Sequence, residues 1–404
     1  MRLNSRGRGG RAGVLTACLV LVTLVVAACS SGSTTKGTSA ASSSSTPSTA
    51  GSPAATGGSA AAIDAAYTAL LKGTWTAPPT DSSPAVPNKT VMMISCGQAN
   101  DNCTDMGRGV NDAAKILGWK VILCDGALDP VKAQACFRQA ASQKVAGIVN
   151  LAWDCPIVKS VLQQAVSAGI RVVGIHAFDC GQVNTGEKNL FTDFVSYGSR
   201  SKSQPDAWRA WGGAMAVAAL KASKGGAILY PNDSAEFASF KFMGEGWHAK
   251  VTELCPGCKV YDLPWTVSEA GPKLTAKIQA ALLQHPDVTS VSAAVNPALG
   301  FLDGVQQSGK ASSVAVVEGH GSVTEGDWIR TGKMAALIGW PVDWWGYAAL
   351  DTLNSAFAGT PAADQGIGFA IIDKANNLYP SGEPFLAKGV GIDLSAAYTK
   401  RWGK

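Results

Sequence analysis

The sequence predicts an α/β protein made of two successive parallel sheets, each covered by helices on both faces. The first observation behind this is a series of short apolar runs without polar alternation, at residues 91–94, 121–123, 147–151 and 172–175. Strands of that kind belong to sheets buried on both faces. The second is the spacing between them. Met106, Val110, Ala113, Ala114 and Leu117 fall on one helical face, a helix is predicted from Pro130, and Ile157, Val158, Val161, Leu162, Ala165 and Val166 form another helical stripe. The third is that the pattern starts again. A long helix through Trp211 and Met215 is followed by strand-like runs at 227–230, 259–263, 290–295 and 314–317. A run at 337–340 and a helix through Tyr347, Leu350, Leu353 and Phe357 come next, and a Gly- and Pro-rich end carries an apolar patch at 369–372. Two such doubly wound, Rossmann-like arrays bring two sets of strand C-terminal ends to face each other across a cleft, the usual ligand position in open α/β folds.

Composition agrees with a large core: 46% of the 404 residues are hydrophobic and only 16% charged, which excludes a disordered chain. The net charge of +5 suggests a nucleic-acid partner until it is divided. Arg2, Arg6, Arg8 and Arg11 supply four of the five charges, with no acid before Ser30, so the rest of the chain carries about +1. That gives no reason to expect a phosphate backbone as partner.

The N-terminus reads as an export signal over 1–28: a basic stretch to Arg11, an apolar run over 14–28, and small residues ending in Val26-Ala27-Ala28-Cys29. The run is shorter than the roughly 20 residues a permanent transmembrane helix needs, so cleavage is expected. The VAAC string resembles the bacterial lipobox, which implies diacylation of Cys29; the alternative is an ordinary signal with an incidental cysteine. Apart from Cys29 itself, residues 29–60 are Ser, Thr, Gly, Ala and Pro with a single lysine, a composition that reads as a flexible tether. The folded part is then expected to be held outside the cytoplasm, on the outer face of the cell membrane, by lipid alone.

From Lys89 to about Gly359 the chain carries, in order, VMMISC…MGRGVNDAAKILGWKVILCDG, VAGIVNLAWD, AGIRVVGIHA, GEGW, HPDVTSVSAAVNPALG, VAVVEGHG and GKMAALIGWPVDWWGYAALDTLNSAFAG. This ordered set resembles the type I periplasmic-binding-protein family, which includes ribose- and galactose-binding proteins. The resemblance implies a first lobe of 85–200 with 341–360, a second lobe of 201–340 with 361–404, a multi-strand hinge, and a first sheet in the order 2-1-3-4-5. Cys18 falls in the signal and Cys29 takes lipid, leaving eight cysteines, an even number that favours disulfides in an exported chain. Local spacing suggests Cys96–Cys103, Cys124–Cys136, Cys155–Cys180 and Cys255–Cys258, one connectivity among 105, and it leans on the implied fold. The CPGC at 255–258 reads as a small structural loop; the redox or zinc alternative lacks a second CxxC pair.

Ligand contacts in such folds follow the strands. In the first lobe this selects Gln98, Asn100, Asn102, Asp125, Trp153, Asp154 and His176; in the second, Lys241 in a Phe-rich turn, then Asn296, His320, Trp340 and Trp344. Asp, Asn and Gln side chains suit hydroxyls, and tryptophan offers a flat face to a sugar ring. Bland roles stand beside these: loop polars for Asn100 and Asn102, a helix N-cap for Asp154, a core histidine for His176. Trp119, Trp208 and Trp211 are expected to be packing residues. Asn296-Pro297, His320, Lys241 and Trp340 depart from the sugar-binding pattern, and the aromatic replacements point to a less polar or aromatic ligand as an alternative.

GxSxG, P-loop and HExxH motifs are missing from the sequence, the four histidines lack metal-ligand spacing, and Asp125 with Asp154 would need a special geometry to act as an acid–base pair. The expectation is therefore a monomeric, cofactor-free solute-binding lipoprotein, not an enzyme, that delivers a sugar, polyol or related compound to an ABC-type permease. A receptor of the same fold that feeds a membrane sensor is the alternative.

Overall fold

The computed structural model describes residues 57–404 except 198–202, 233–236 and 294–299. The signal, Cys29 and most of the expected tether lie outside these residues. The tether's end needs correction, because a helix, α1 (Gly57–Leu71), starts before residue 60. The first sheet is built from β1 (Thr90–Ser95), β2 (Lys120–Asp125), β3 (Gly147–Leu151), β4 (Arg171–Ile175) and β5 (Asp193–Phe194), interleaved with α2 (Asp101–Leu117), α3 (Pro130–Ser142), α4 (Cys155–Ser167) and the short α5 (Cys180–Val183). All its pairings are parallel and its order is β2-β1-β3-β4-β5. Residue chemistry sets the boundaries of these helices. Asp129 caps α3 and Pro130 occupies its first turn, while Gly118 stops α2 in the left-handed region at φ 70°, donating its N–H to Ala114 and Lys115 carbonyls.

The second sheet follows α6 (Gln204–Ser223). Its strands are β6 (Ala227–Asn232), β7 (Val260–Pro264), β8 (Val288–Ser292), β9 (Ala315–Val317), β10 (Ala336–Gly339) and β11 (Ala370–Asp373), with α7 (Ala238–Leu254), α8 (Pro272–Gln284), α9 (Phe301–Gln307), α10 (Val323–Arg330) and α11 (Trp344–Ala358) between them. The order is β11-β10-β9-β8-β6-β7, and β11 alone pairs antiparallel. The strand expected at 290–295 lies earlier, since β8 ends at Ser292 and Ala293 is already outside it.

Three chain segments connect the lobes: after β5, after β10, and between α11 and β11. The middle one carries the chain back, so that α11 packs on α2, β4 and β5 of the first lobe. Gly109 and Gly346 make this contact possible, for a Cβ on either would overlap the backbone of the opposite helix. The C-terminal boundary differs from expectation. Although β11 joins the second sheet, the last helix, α12 (Leu394–Trp402), packs on α2 and α11, so the end of 361–404 belongs with the first lobe. Its anchor is a buried polar network: Asp351 accepts from Arg401 Nε at 2.7 Å, Trp402 Nε1 at 2.8 Å and Gln365 Nε2 at 2.9 Å. At the other end, α1 packs on α6 and β11 of the second lobe, with Tyr67 donating to Asp373 at 2.7 Å.

The eight cysteines form the four pairs 96–103, 124–136, 155–180 and 255–258. Alkylation of the mature, unreduced protein followed by intact-mass analysis is expected to add no label. Four or more labelled thiols would refute this pairing.

Candidate functional site

The strand ends of the two lobes meet around His176. It follows β4 directly and holds a left-handed backbone at φ 52°, a conformation that costs a non-glycine residue of order 1 kcal/mol and is found where surrounding contacts fix it. Its ring lies 4.5 Å from Trp345, 4.6 Å from Trp340 and 4.9 Å from Trp208, centroid to centroid. Trp211 stacks on Trp340 at 4.4 Å and meets His320 at 4.8 Å, and Tyr197 closes the far side 5.5 Å from Trp345. Local structure explains the convergence. Trp208 and Trp211 are three residues apart at the start of α6 and share a face; Trp340 ends the crossover from β10; Trp345 stands in the first turn of α11; His320 follows β9. An apolar cavity of about 230 Å³, bounded by Tyr197, Trp208, Trp340 and the hinge residues Ile367 to Phe369, adjoins the cluster.

The lobes are closed on each other. Asn102 Nδ2 approaches His320 Nδ1 at 3.3 Å, Thr324 donates to Asp101 at 2.7 Å, and Phe178 packs on Phe242 at 5.1 Å. Asp154 works as a latch: its carboxylate accepts from Phe178 N in its own lobe and from Ala238 N in the other, each at 2.8 Å. It stands at the N-cap of α4 yet makes no capping bond there.

Burial governs the electrostatics. It holds the His176 imidazole well below its ordinary range, reinforced by the facing His320, and it also lowers His320, with Glu325 opposing. Two neutral imidazoles therefore face the aromatic rings. Burial pushes the Asp154 carboxyl up from 3.8 to about 7, against the two backbone N–H bonds that favour its charged form. A carboxyl raised in the folded state contributes stability that is fully present below the unfolded value of 3.8 and is lost as pH rises through about 7. Asp154→Asn is expected to remove this loss and to flatten the decline in melting temperature between pH 4 and 7. An unchanged slope would refute the role of Asp154 in it.

Of the residues selected from sequence, the structure brings together Asn102, His176, His320 and Trp340, with Asp154 beside them. The others lie elsewhere. Gln98 and Asp125 tie the loops after β1 and β2, Asp125 accepting from Gln98 N and Ala127 N. Asn100 caps α2, accepting from the N–H groups of Asn102 and Cys103. Trp153 is buried in the first lobe, its indole N–H bonded to Ser95 O at 3.1 Å and its ring against Gly126. Trp344 points away, toward Tyr398 Oη at 3.2 Å, and Trp345 takes the cleft position. Lys241 is exposed, and its segment is the start of α7 instead of a turn. Asn296 lies outside the described residues. Trp119 is a packing residue as expected, bonded to Val86 O. Trp208 and Trp211 are likewise buried as expected, and they also stand in the aromatic cluster; the signal for that second place was their three-residue spacing right after a lobe crossover. Tyr197 and Trp345 were missed.

Buried hydrogen-bonding atoms without partners converge here: Trp340 Nε1, Trp345 Nε1, His176 Nε2 and Asn102 Oδ1. A closed cleft with aromatic walls, two neutral histidines and unpaired polar atoms defines a two-lobed binder of a small molecule. The comparisons with known proteins agree. Residues 91–361 match the model of the periplasmic binding protein domain, and the chain belongs to that family, whose members bind small-molecule ligands outside the cytoplasm. Among solved structures, it is similar to an ABC transporter solute binding protein from Agrobacterium vitis bound with alpha-D-tagatopyranose (19% identity, 72% of this chain and 97% of that one, TM-score 0.62). It is also similar to a glucose-galactose binding protein from Geobacillus stearothermophilus (17%, 72% and 99%, TM-score 0.59). A third is a carbohydrate transporter from Acidothermus cellulolyticus in complex with myo-inositol (20%, 72% and 96%, TM-score 0.55). No curated protein matches the chain. Among the described residues, no helix is long and apolar enough to cross a membrane.

Proposed function

We propose that this protein is a monomeric extracytoplasmic solute-binding lipoprotein, anchored through Cys29, that captures a sugar, polyol or related small molecule between its lobes and delivers it to an ABC-type permease. The observation that carries the reading is the lining of one site from both lobes, His176 and Asn102 from the first against Trp208, Trp211 and His320 from the second. A ligand that touches both halves only when they are closed stabilises that state by its differential affinity, which is the signal a permease reads. The ligands of same-fold structures, tagatopyranose and myo-inositol among them, support a hydroxylated ring. Thermal melts against a panel of sugars, polyols, nucleosides and aromatic acids test this, because a ligand that binds only the native state raises the midpoint. A panel that shifts nothing, or shifts only with nucleosides or aromatic acids, refutes the ligand class. For the anchor, Cys29→Ser is expected to release protein to the medium or leave the signal uncleaved, and wild type without lipid by mass spectrometry would overturn it.

A further inference from the structure

Buried acids gather near the loop of His320: Glu325 accepts from its N–H, and Asp105 and Glu318 each feel the Glu325 charge. Asp105, on α2 of the first lobe, is buried, and Asp105 Oδ2 has no hydrogen-bond partner while Oδ1 meets the exposed Arg108 at 3.3 Å. Opposite it on α10, Glu325 accepts three backbone N–H bonds, from His320, Gly321 and Ser322, through Oε2 alone, leaving Oε1 unpartnered. Glu318, just after β9, is fully buried with neither oxygen bonded. Asn102 spends its amide on His320 and leaves Oδ1 unpaired.

These carboxyls feel one another. Burial, opposed by Arg108 and reinforced by Asp101 and Glu325, lifts Asp105 to about 6, and burial with the Glu325 charge lifts Glu318 well above the ordinary range. Glu318 meets the cost of burial by favouring its neutral acid form, but a buried carboxyl that ionises, as Asp105 does near neutral pH, is not neutralised by hydroxyls from an uncharged ligand. A metal ion does not fit: among the described residues, only Cys155, Asp179 and Cys180 bring three ligating atoms within 4.8 Å of one another, and two of those are a disulfide. An organic ammonium does fit, since it brings three donors and no acceptor, and the adjoining tryptophans are the rings that cations prefer. The free indole N–H groups of Trp340 and Trp345 ask for the opposite, oxygen acceptors.

The geometry points to a ligand that carries a protonated amine on a hydroxylated ring, an amino sugar or aminocyclitol, with its amine at Asp105, Glu325 and Asn102 and its hydroxyls at the indole N–H groups. This rests on the reading of the cleft as a solute site and narrows it. Calorimetric titration of the full mature chain with D-glucose, D-glucosamine, N-acetyl-D-glucosamine, myo-inositol and its monoamine tests it at neutral pH. The amine form of at least one ring is expected to bind ten times more tightly than its neutral parent, and N-acetylation is expected to remove the gain. Asp105→Asn should abolish the preference for the amine form. Asn102→Asp, which adds a carboxylate to the same rim, should enlarge the preference, and it decides the matter if Asp105→Asn does not fold. Neutral rings that bind as well as their amines overturn this inference and leave the solute-binding reading intact. If no ring of either kind binds, this inference falls, and the wider panel of sugars and polyols decides the solute-binding reading separately.

Discussion

Trp340→Ala is expected to weaken ligand binding by five- to more than a hundredfold, about 1 to 3 kcal/mol, through lost apolar contact. Its ring touches five others at the meeting point of both lobes and the hinge, Trp211, His176, Trp345, His320 and Trp208, at 4.4 to 5.5 Å. Removing it takes away one wall of the site. Trp208→Ala is expected to act in the same direction. Trp153→Ala is the proper packing control: the ring is buried inside the first lobe and bonded to Ser95 O. Its loss should cost about 3 to 5 kcal/mol of stability and leave the affinity of the folded fraction nearly unchanged. Titration calorimetry and thermal melts on the three variants read both quantities. A Trp153→Ala variant that binds as poorly as Trp340→Ala would move the site away from the aromatic cluster.

The second large effect concerns the C-terminal anchor. Asp351→Ala is expected to destabilise the protein by about 3 to 5 kcal/mol, because it leaves the buried Arg401 guanidinium without its carboxylate. Asp351 also accepts from Trp402 Nε1 and Gln365 Nε2, so three bonds are lost at once, Gln365 Nε2 keeping only Ala363 O. Arg401 retains Asp81, but that carboxylate is exposed. Urea denaturation measures the loss. The double variant Asp351→Leu with Arg401→Met is expected to lose less than Asp351→Ala, since removing both partners leaves no charge buried and unpaired, although Trp402 Nε1 still loses its acceptor. A single variant that costs under 1 kcal/mol would show that α12 is held by packing alone.

Most strands were legible as short apolar runs, and the helices because their stripes follow a period of 3.6; β7 and β8 carry polar residues within the run, and β5, two residues long, left no run to read. Long-range topology set the limits. The antiparallel pairing of β11 with β10 and the return of α12 to the first lobe depend on contacts between residues far apart in sequence, such as Asp351 with Arg401, which no local pattern encodes. At the site, position after a strand identified His176, His320 and Trp340. It failed for Trp344, because helical phase sends the first of two adjacent tryptophans toward Tyr398 and the second to the cleft. It also failed for Asp125 and Asn100, whose side chains are consumed by backbone N–H groups of their own loops.

Trp211 and Trp340 are stacked at 4.4 Å with their planes 19° apart, one carried by α6 and the other by the crossover after β10. Indoles this close share their excited states, so their near-ultraviolet circular dichroism is a joint signal set by mutual orientation instead of a sum of two independent bands. A solute that parts or turns the rings changes that signal without any dye or label. The hinge thereby carries an optical gauge of cleft occupancy, made from the same side chains that form its wall.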